Sequence, residues 1–331
     1  MSDRLRIGTR SSAMALAQTE AAAEAARAHH PGLQVDVVLF KPAGDRDQTS
    51  KLDRHGGKGG AFVGEIREAM RSGALEAAMH SLKDMPGDEE APGLVIAAML
   101  TREPSGDALV LKPGLSLEEF ENNGGAGFKI GTNAVRRAAF LRRLFPNAEI
   151  IHFRGAADTR IRKLDEGAMQ NLPDGGAVGP ADALVVAEAG LHRVRLPDRI
   201  AKVFDAADMP PAIGQGVVAL ECAAGDWETR RRLAALDHEP TRICAEAERE
   251  VLWILNGHCN SPIAGRARIT SDQLHISACV ISEDGRHLVT VERAGATSRP
   301  RELGRDVGQA LLDAGAREII DETRPHLEPT S

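Results

Sequence analysis

KIGTNAVRRAAFLRRLFPNAEIIHFRGAADTRIRK occupies residues 129–163 and reads as strand, helix, strand, helix. The spacing predicts a strand over 129–131 and a helix over 134–144, which Pro146 stops. A strand over 149–153 and a helix over 158–166 follow. That rhythm is the signature of α/β units on a largely parallel sheet. The same stretch carries nine Lys and Arg against Glu149 and Asp158, or +7, inside a chain of net charge −7. Arginine dominates, and its planar fork suits carboxylate or phosphate held at two points. Arg136 and Arg137 fall in the first turn of their predicted helix, where the dipole disfavours cations. They contribute nothing to helix stability there, so Arg136→Leu should leave melting nearly unchanged. An anion at that helix N-terminus would use both the free N–H groups and the guanidinium forks. Arg154 follows a strand, at the end where α/β sheets collect ligands, and Arg160 again opens a helix. Arg142 and Arg143 read as a solvated face.

Working outward, the alternation continues. Strands are predicted over 5–9, 33–40, 75–80, 94–99, 108–111, 182–186 and 217–222. Ser11 or Ser12 caps an Ala-rich helix to about residue 28. The glycines at 56–60 form a loop before a helix over 63–70. Near Gly225 the character changes. Two helices over 226–236 and 241–255 precede a hairpin, with strands 274–282 and 287–293, and a single helix over 303–319 closes the chain. At 331 residues two or three domains are expected.

Composition narrows the function. Aromatics are 3% and Tyr is absent, which removes the stacking rings of most single-strand binders and argues against nucleic acid as a partner. There is no membrane-length apolar run and no signal-peptide core at the N-terminus, so a cytoplasmic protein is expected. Cys222, Cys244, Cys259 and Cys279 form no C-x-x-C pair, so no metal site is expected. The first, second and fourth lie in strand or helix patterns and read as buried thiols. Cys259 sits in the small-residue loop LNGHCNSPIAG at 255–265, where an accessible thiolate is a nucleophile or a covalent anchor. In HSLKDMP, 80–86, Asp84 ends a strand on the ligand side; a loop aspartate is ordinarily a turn or cap residue. Amid cations its carboxylate would stabilise a developing positive charge.

Taken together, these pieces resemble the porphobilinogen deaminase family over residues 4–320. The motifs are GTRSSAMALAQ at 8–18, GGKGGAF at 56–62, HSLKDMP at 80–86, GTNAVRR at 131–137, FRGAADTRIRKLDEG at 153–167, DALVVAEAGLHR at 182–193, PAIGQG at 211–216 and the Cys259 loop. Each is weak alone; their shared order is specific. The resemblance implies two periplasmic-binding-protein-like α/β domains, 1–103 plus 205–224 and 104–204, and a small α+β C-terminal domain, 225–331. It implies a dipyrromethane cofactor joined to Cys259 by a thioether and surrounded by Lys83, Asp84, Thr132, Asn133, Arg136 and Arg137. Asp84 would be catalytic. Arg10, Ser12, Arg154, Arg160 and Arg193 would hold carboxylates of porphobilinogen. The implied activity is hydroxymethylbilane synthase: four porphobilinogen molecules condense with loss of ammonia, and the linear tetrapyrrole is released by water. A monomer is expected. Asn133, Ala134, Ala156, Gly64 and His258 depart from the family's usual residues. They motivate a rival reading, a catalytically impaired relative that only binds an anionic tetrapyrrole-type ligand.

Overall fold

The structure is a computed structural model that describes residues 4–40, 57–87, 91–122, 124–172, 175–257 and 260–323. The first α/β unit contains β1 (Arg4–Arg10), α1 (Ala13–His29), β2 (Gln34–Phe40), α2 (Gly57–Arg71), β3 (Ala77–Ser81) and β4 (Leu94–Met99). The second contains β5 (Asp107–Leu111), α3 (Leu117–Glu121), β6 (Lys129–Thr132), α4 (Val135–Leu144), β7 (Glu149–His152) and α5 (Ala157–Asp165). It continues with β8 (Gln170–Asn171), β9 (Ala177–Val178), β10 (Ala183–Ala187), α6 (Glu188–Arg193) and β11 (Lys202–Val203). Then come β12 (Val218–Ala223), α7 (Trp227–Ala234), α8 (Glu239–Leu255), β13 (Ile263–Thr270), β14 (Gln273–Ile281), β15 (Leu288–Ala296), α9 (Pro300–Asp313) and α10 (Ala316–Thr323).

The first sheet has the order β2-β1-β3-β12-β4 and the second β11-β5-β10-β6-β7. Neither is mostly parallel as expected. In the first, β1 pairs parallel with β2 and β3, while β12 runs antiparallel between β3 and β4. In the second, β6 pairs parallel with β7 and β10, while β5 runs antiparallel to β10 and β11. The cause is the connection between units. The chain leaves the first sheet after β4 and returns to it as β12. Outgoing and returning segments hydrogen-bond along the crossing, Leu100 N to Val218 O at 3.0 Å and Glu103 N to Gly216 O at 3.0 Å. Gly216 has φ +86°, and a Cβ there would meet Glu103 O at 2.4 Å, so glycine alone fits.

Both faces of β5 are covered, which explains its continuous apolar run. Ala108 and Val110 enter one core with Phe153, Ile161 and Leu164; Leu109 and Leu111 enter the other with Phe120, Phe140 and Ile130. In the C-terminal sheet, β13-β14-β15, strand β14 also serves two cores. Leu274, Ile276, Ala278 and Val280 face α8 and α9, while Cys279 and Ile281 join Ala264 in a core of the second unit. The fold is therefore α/β with a smaller α+β C-terminal part.

Several elements differ from expectation. Helix α2 starts at Gly57, inside the stretch expected as a loop. Its face of Val63, Ile66 and Met70, spaced three and four apart, is buried and outweighs the glycines. Strand β13 went unpredicted because Arg266 and Arg268 point to solvent and Gly265 interrupts the pattern. The single closing helix is two, broken at Gly315 with φ +93°. Helix α7, expected in the C-terminal part, sends Leu233 into the core of the first unit, and Leu236 just after it follows.

One buried carboxylate ties these parts together. Glu248 of α8 is fully buried and binds Arg102 Nη1 at 2.5 Å, Gly214 N at 2.8 Å and Ala267 N at 2.7 Å. Its partners come from the outgoing segment, the returning segment and β13. Glu248→Leu strands all three, and breaking such a buried pair costs roughly 3–5 kcal/mol. Urea unfolding should show a loss of that size; a change under about 1 kcal/mol would mean water replaces the carboxylate.

Candidate active site

Parallel strands set their carboxyl ends on one edge. In the first sheet that edge carries Arg10 at the end of β1 and the 3-10 turn Leu82–Asp84 after β3. In the second it carries Asn133 after β6, Arg154 after β7 and Ala187 at the end of β10. The two edges border a cleft of about 420 Å³. The returning segment adds Ala212, Ile213 and Gln215, and the C-terminal part adds Leu252, Asn260, Ser261 and Ile263.

The structure brings together Arg10, Ser12, Lys83, Asp84, Asn133, Arg136, Arg137, Arg154 and Arg160 on this cleft. Thr132 is buried behind it and accepts from Ala134 N at 3.3 Å. Arg193 stands away from the lining. Its Nε lies 2.7 Å from Glu103 Oε2. With the Gln18 amide turned so that its oxygen faces the guanidinium, Gln18 Oε1 accepts from Arg193 Nη1 at 2.6 Å. Arg193 thus links α6 to α1 across the units. The Ser12 hydroxyl caps α1, accepting from Ala15 N at 3.3 Å. Cys259 and His258 lie outside the described residues. The other three cysteines are buried, and desolvation raises Cys222 and Cys244 to about 11 and Cys279 to about 12.

Sequence reasoning missed the residue at the centre of the arginine cluster. Asp107 is 0% exposed and accepts from Arg136 Nη2 at 2.6 Å, Arg137 Nη2 at 2.8 Å and Gln215 Nε2 at 3.0 Å. Burial alone would raise its pKa; the two guanidiniums reverse this and hold it well below the usual carboxylate range. Gln215 Oε1 in turn accepts from Lys83 Nζ at 3.3 Å. Desolvation, then repulsion from Arg137, brings Lys83 down to about 8. The signal was faint: Asp107 stands one residue before the strand predicted from 108. Arg142 and Arg143 are not simply solvated either. Their Nη1 atoms bind the hairpin-turn carbonyls of Glu283 and Gly285, at 2.5 and 3.5 Å.

Arg160 differs from this pair. Its Nε is buried with no hydrogen-bond partner among the described residues, and desolvation followed by Arg137 lowers it to about 10. Helices α4 and α5 both open onto the cleft, and their N-caps, Ala134 and Ala156, make no side-chain cap. Two of the departures from the family pattern therefore fall at equivalent places. Asp84 lies 3.9 Å from Arg10. Among the described residues the lining carries six cations, Arg10, Lys83, Arg136, Arg137, Arg154 and Arg160, against Asp84 and, behind it, Asp107. Six minus two leaves +4, which selects a ligand with several carboxylates.

A family model described as "Porphobilinogen deaminase, dipyromethane cofactor binding domain" matches residues 5–231, and "Porphobilinogen deaminase, C-terminal domain" matches 242–313. The chain belongs to the porphobilinogen deaminase family. It is 40% identical to the "Porphobilinogen deaminase" of Syntrophobacter fumaroxidans, over 97% of this chain and 99% of that one. It is 40% identical to "Porphobilinogen deaminase 2" of Streptomyces coelicolor, over 96% of each. The "Porphobilinogen deaminase" of Xanthomonas axonopodis pv. citri is 39% identical, over 96% and 99%. Among solved structures, the methionine-binding protein MetQ overlaps 70% of the chain at 17% identity and a TM-score of 0.41. The cleft fits the family's cofactor. Its excess positive charge and the unpartnered Arg160 Nε suit a polycarboxylate, and Asn260 and Ser261 reach its border. No helix of the described residues is long and apolar enough to cross a membrane.

Two expectations follow. Arg136→Leu removes one of two counter-charges from a buried carboxylate, so it should cost about 2–3 kcal/mol in chemical denaturation, contrary to the sequence reading. Lys83 is protonated below about 8 and neutral above it. The affinity of the cleft for a carboxylate ligand should therefore fall as pH rises through about 8. Binding titrations should show that step in the wild type and lack it in Lys83→Gln.

Proposed function

We propose that this chain is a hydroxymethylbilane synthase. It joins four porphobilinogen molecules head to tail with loss of ammonia and releases the linear product with water. One observation carries the reading: among the described residues, a cleft of net +4 surrounds a single lining carboxylate, Asp84. Each porphobilinogen brings two carboxylates for the cations and an aminomethyl group that leaves as ammonia. Asp84 faces the positive charge that develops at that carbon, and a fixed carboxylate in a partly water-excluded site stabilises it. Arg10, Arg154 and Arg160 receive acetate and propionate groups, and the open N-termini of α4 and α5 add N–H donors. Lys83, Asn133, Arg136 and Arg137 hold the inner part of the ligand. Dipyrromethane, when bound through Cys259, supplies the pyrrole carbon on which the first new bond is made. The units behind this work are 1–103 with 205–224, 104–204 and 225–331; the crossing of β12 into the first sheet supports the division, with α7 extending the first unit. A cytoplasmic monomer suits the reading.

Intact-protein mass spectrometry tests it. Protein made where porphobilinogen is present should carry an adduct of two linked pyrroles within residues 255–265. Incubation with porphobilinogen should yield ammonia and uroporphyrin-type absorbance. Cys259→Ala should lose adduct and activity, while alanine at the three buried cysteines keeps both. Asp84→Asn should keep fold and adduct and lose about 100-fold in turnover. An unmodified, inactive wild type would favour the rival binding role, which the uncapped helices α4 and α5 also fit.

A further inference from the structure

The cleft contains two kinds of arginine. Arg160 has an unpartnered Nε and forms no ion pair among the described residues, so its fork is open to a ligand. Arg136 and Arg137 border the same cleft but already hold a carboxylate of the protein's own. Asp107 takes Arg136 Nη2 at 2.6 Å and both Nε and Nη2 of Arg137, at 3.0 and 2.8 Å. Backbone carbonyls take more of the donors, Pro210 O from Arg136 Nη1 at 2.6 Å and Val185 O from Arg137 Nη1 at 3.4 Å. A substrate carboxylate reaching this pair meets guanidiniums whose two-point faces are occupied.

We propose that Asp107 is an internal counter-ion that competes with substrate carboxylates for Arg136 and Arg137 and keeps the grip of the cleft loose. This rests on the function proposed above. An enzyme that adds four units at one place must let each ring move on after it is joined. A charge-assisted bond to an unopposed arginine strengthens binding about tenfold or more. Binding that holds ground states as tightly as transition states lowers KM without raising kcat, and binding that holds a joined ring in place delays the next addition. Asp107 offsets this at the two inner arginines, whereas Arg160 has the attraction of Asp158 but no bonded carboxylate among the described residues. Gln215, which donates to Asp107 at 3.0 Å and accepts from Lys83, keeps the carboxylate oriented. A purely structural Asp107 would behave in the opposite sense: its loss would let the arginines wander and weaken binding.

The sign of the change in KM separates the two. Holoenzyme of the wild type, of Asp107→Asn and of Asp107→Asn with Arg137→Gln is compared. The double variant restores the net +1 of the cluster with one guanidinium freed, and so remains informative if the single variant does not fold. The expected result is a KM for porphobilinogen lowered about tenfold in Asp107→Asn and less in the double variant, with kcat reduced in both. Mass spectra taken after limiting porphobilinogen should show more protein retaining one to three extra pyrrole units, in the order single, double, wild type. A raised or unchanged KM, an unchanged distribution of retained units, or a folded variant without the dipyrrole would overturn the proposal. Failure of both variants to fold, judged by circular dichroism, would make Asp107 a structural pin and overturn it too. A wild type without adduct or turnover would instead sink the function itself.

Discussion

The double crossing between the two α/β units is the constraint on which the rest depends. Outgoing residues 100–106 and returning residues 213–218 run side by side, hydrogen-bonded at Leu100, Glu103, Gly216 and Val218. Because the chain must come back, β12 enters the first sheet antiparallel. Because it comes back beside the cleft, Gln215 meets both Lys83 of the first unit and Asp107 of the second. Glu248 reaches the same crossing from α8 through Arg102 and Gly214 N. A buried polar group left without a partner is costly, so these bonds pin the crossing from three sides.

That arrangement also shapes the electrostatics. Each buried guanidinium must be countered or must await an anion. The protein does both, with Asp107 bonded to the inner pair and, for Arg160, only the longer-range attraction of Asp158 and no ion pair among the described residues. Lys83 sits between these regimes. Desolvation and Arg137 push its charge off, while Asp84 and Asp107 hold it on, and the result lies near physiological pH.

Much of this was legible in the sequence. The strand–helix–strand–helix of residues 129–163 appeared as read, because its apolar periods and Pro146 are strong local signals. The arginines converged because parallel strands bring loop residues to one edge, a rule that needs no coordinates. What stayed hidden depends on long-range pairing. Asp107 became meaningful only when β5 lay antiparallel to β10, near α4. Arg193 also pairs with Glu103, a partner far away in the sequence, whereas the cap that Ser12 gives α1 was read in advance. Strand β13 was masked by charges that belong on an exposed face.

The last four residues of strand β14, 278–281, are apolar on both faces and belong to two cores at once. Ordinary half-exposed strands are kept in register by polarity, since a one-residue slip turns their apolar side to water. Polarity polices only the first half of β14, where Gln273, His275 and Ser277 alternate with buried Leu274 and Ile276; in the second half a slip would merely exchange Cys279 and Ile281 for Ala278 and Val280. Over that second half the register is held by shape as well. Gly265 on the neighbouring strand allows no Cβ beside Ala278 and the Ser277 carbonyl, and Gly285 in the turn accepts no side chain against the Ala139 carbonyl. Here the proofreading of strand alignment is steric, and it is entrusted to residues that have no side chain at all.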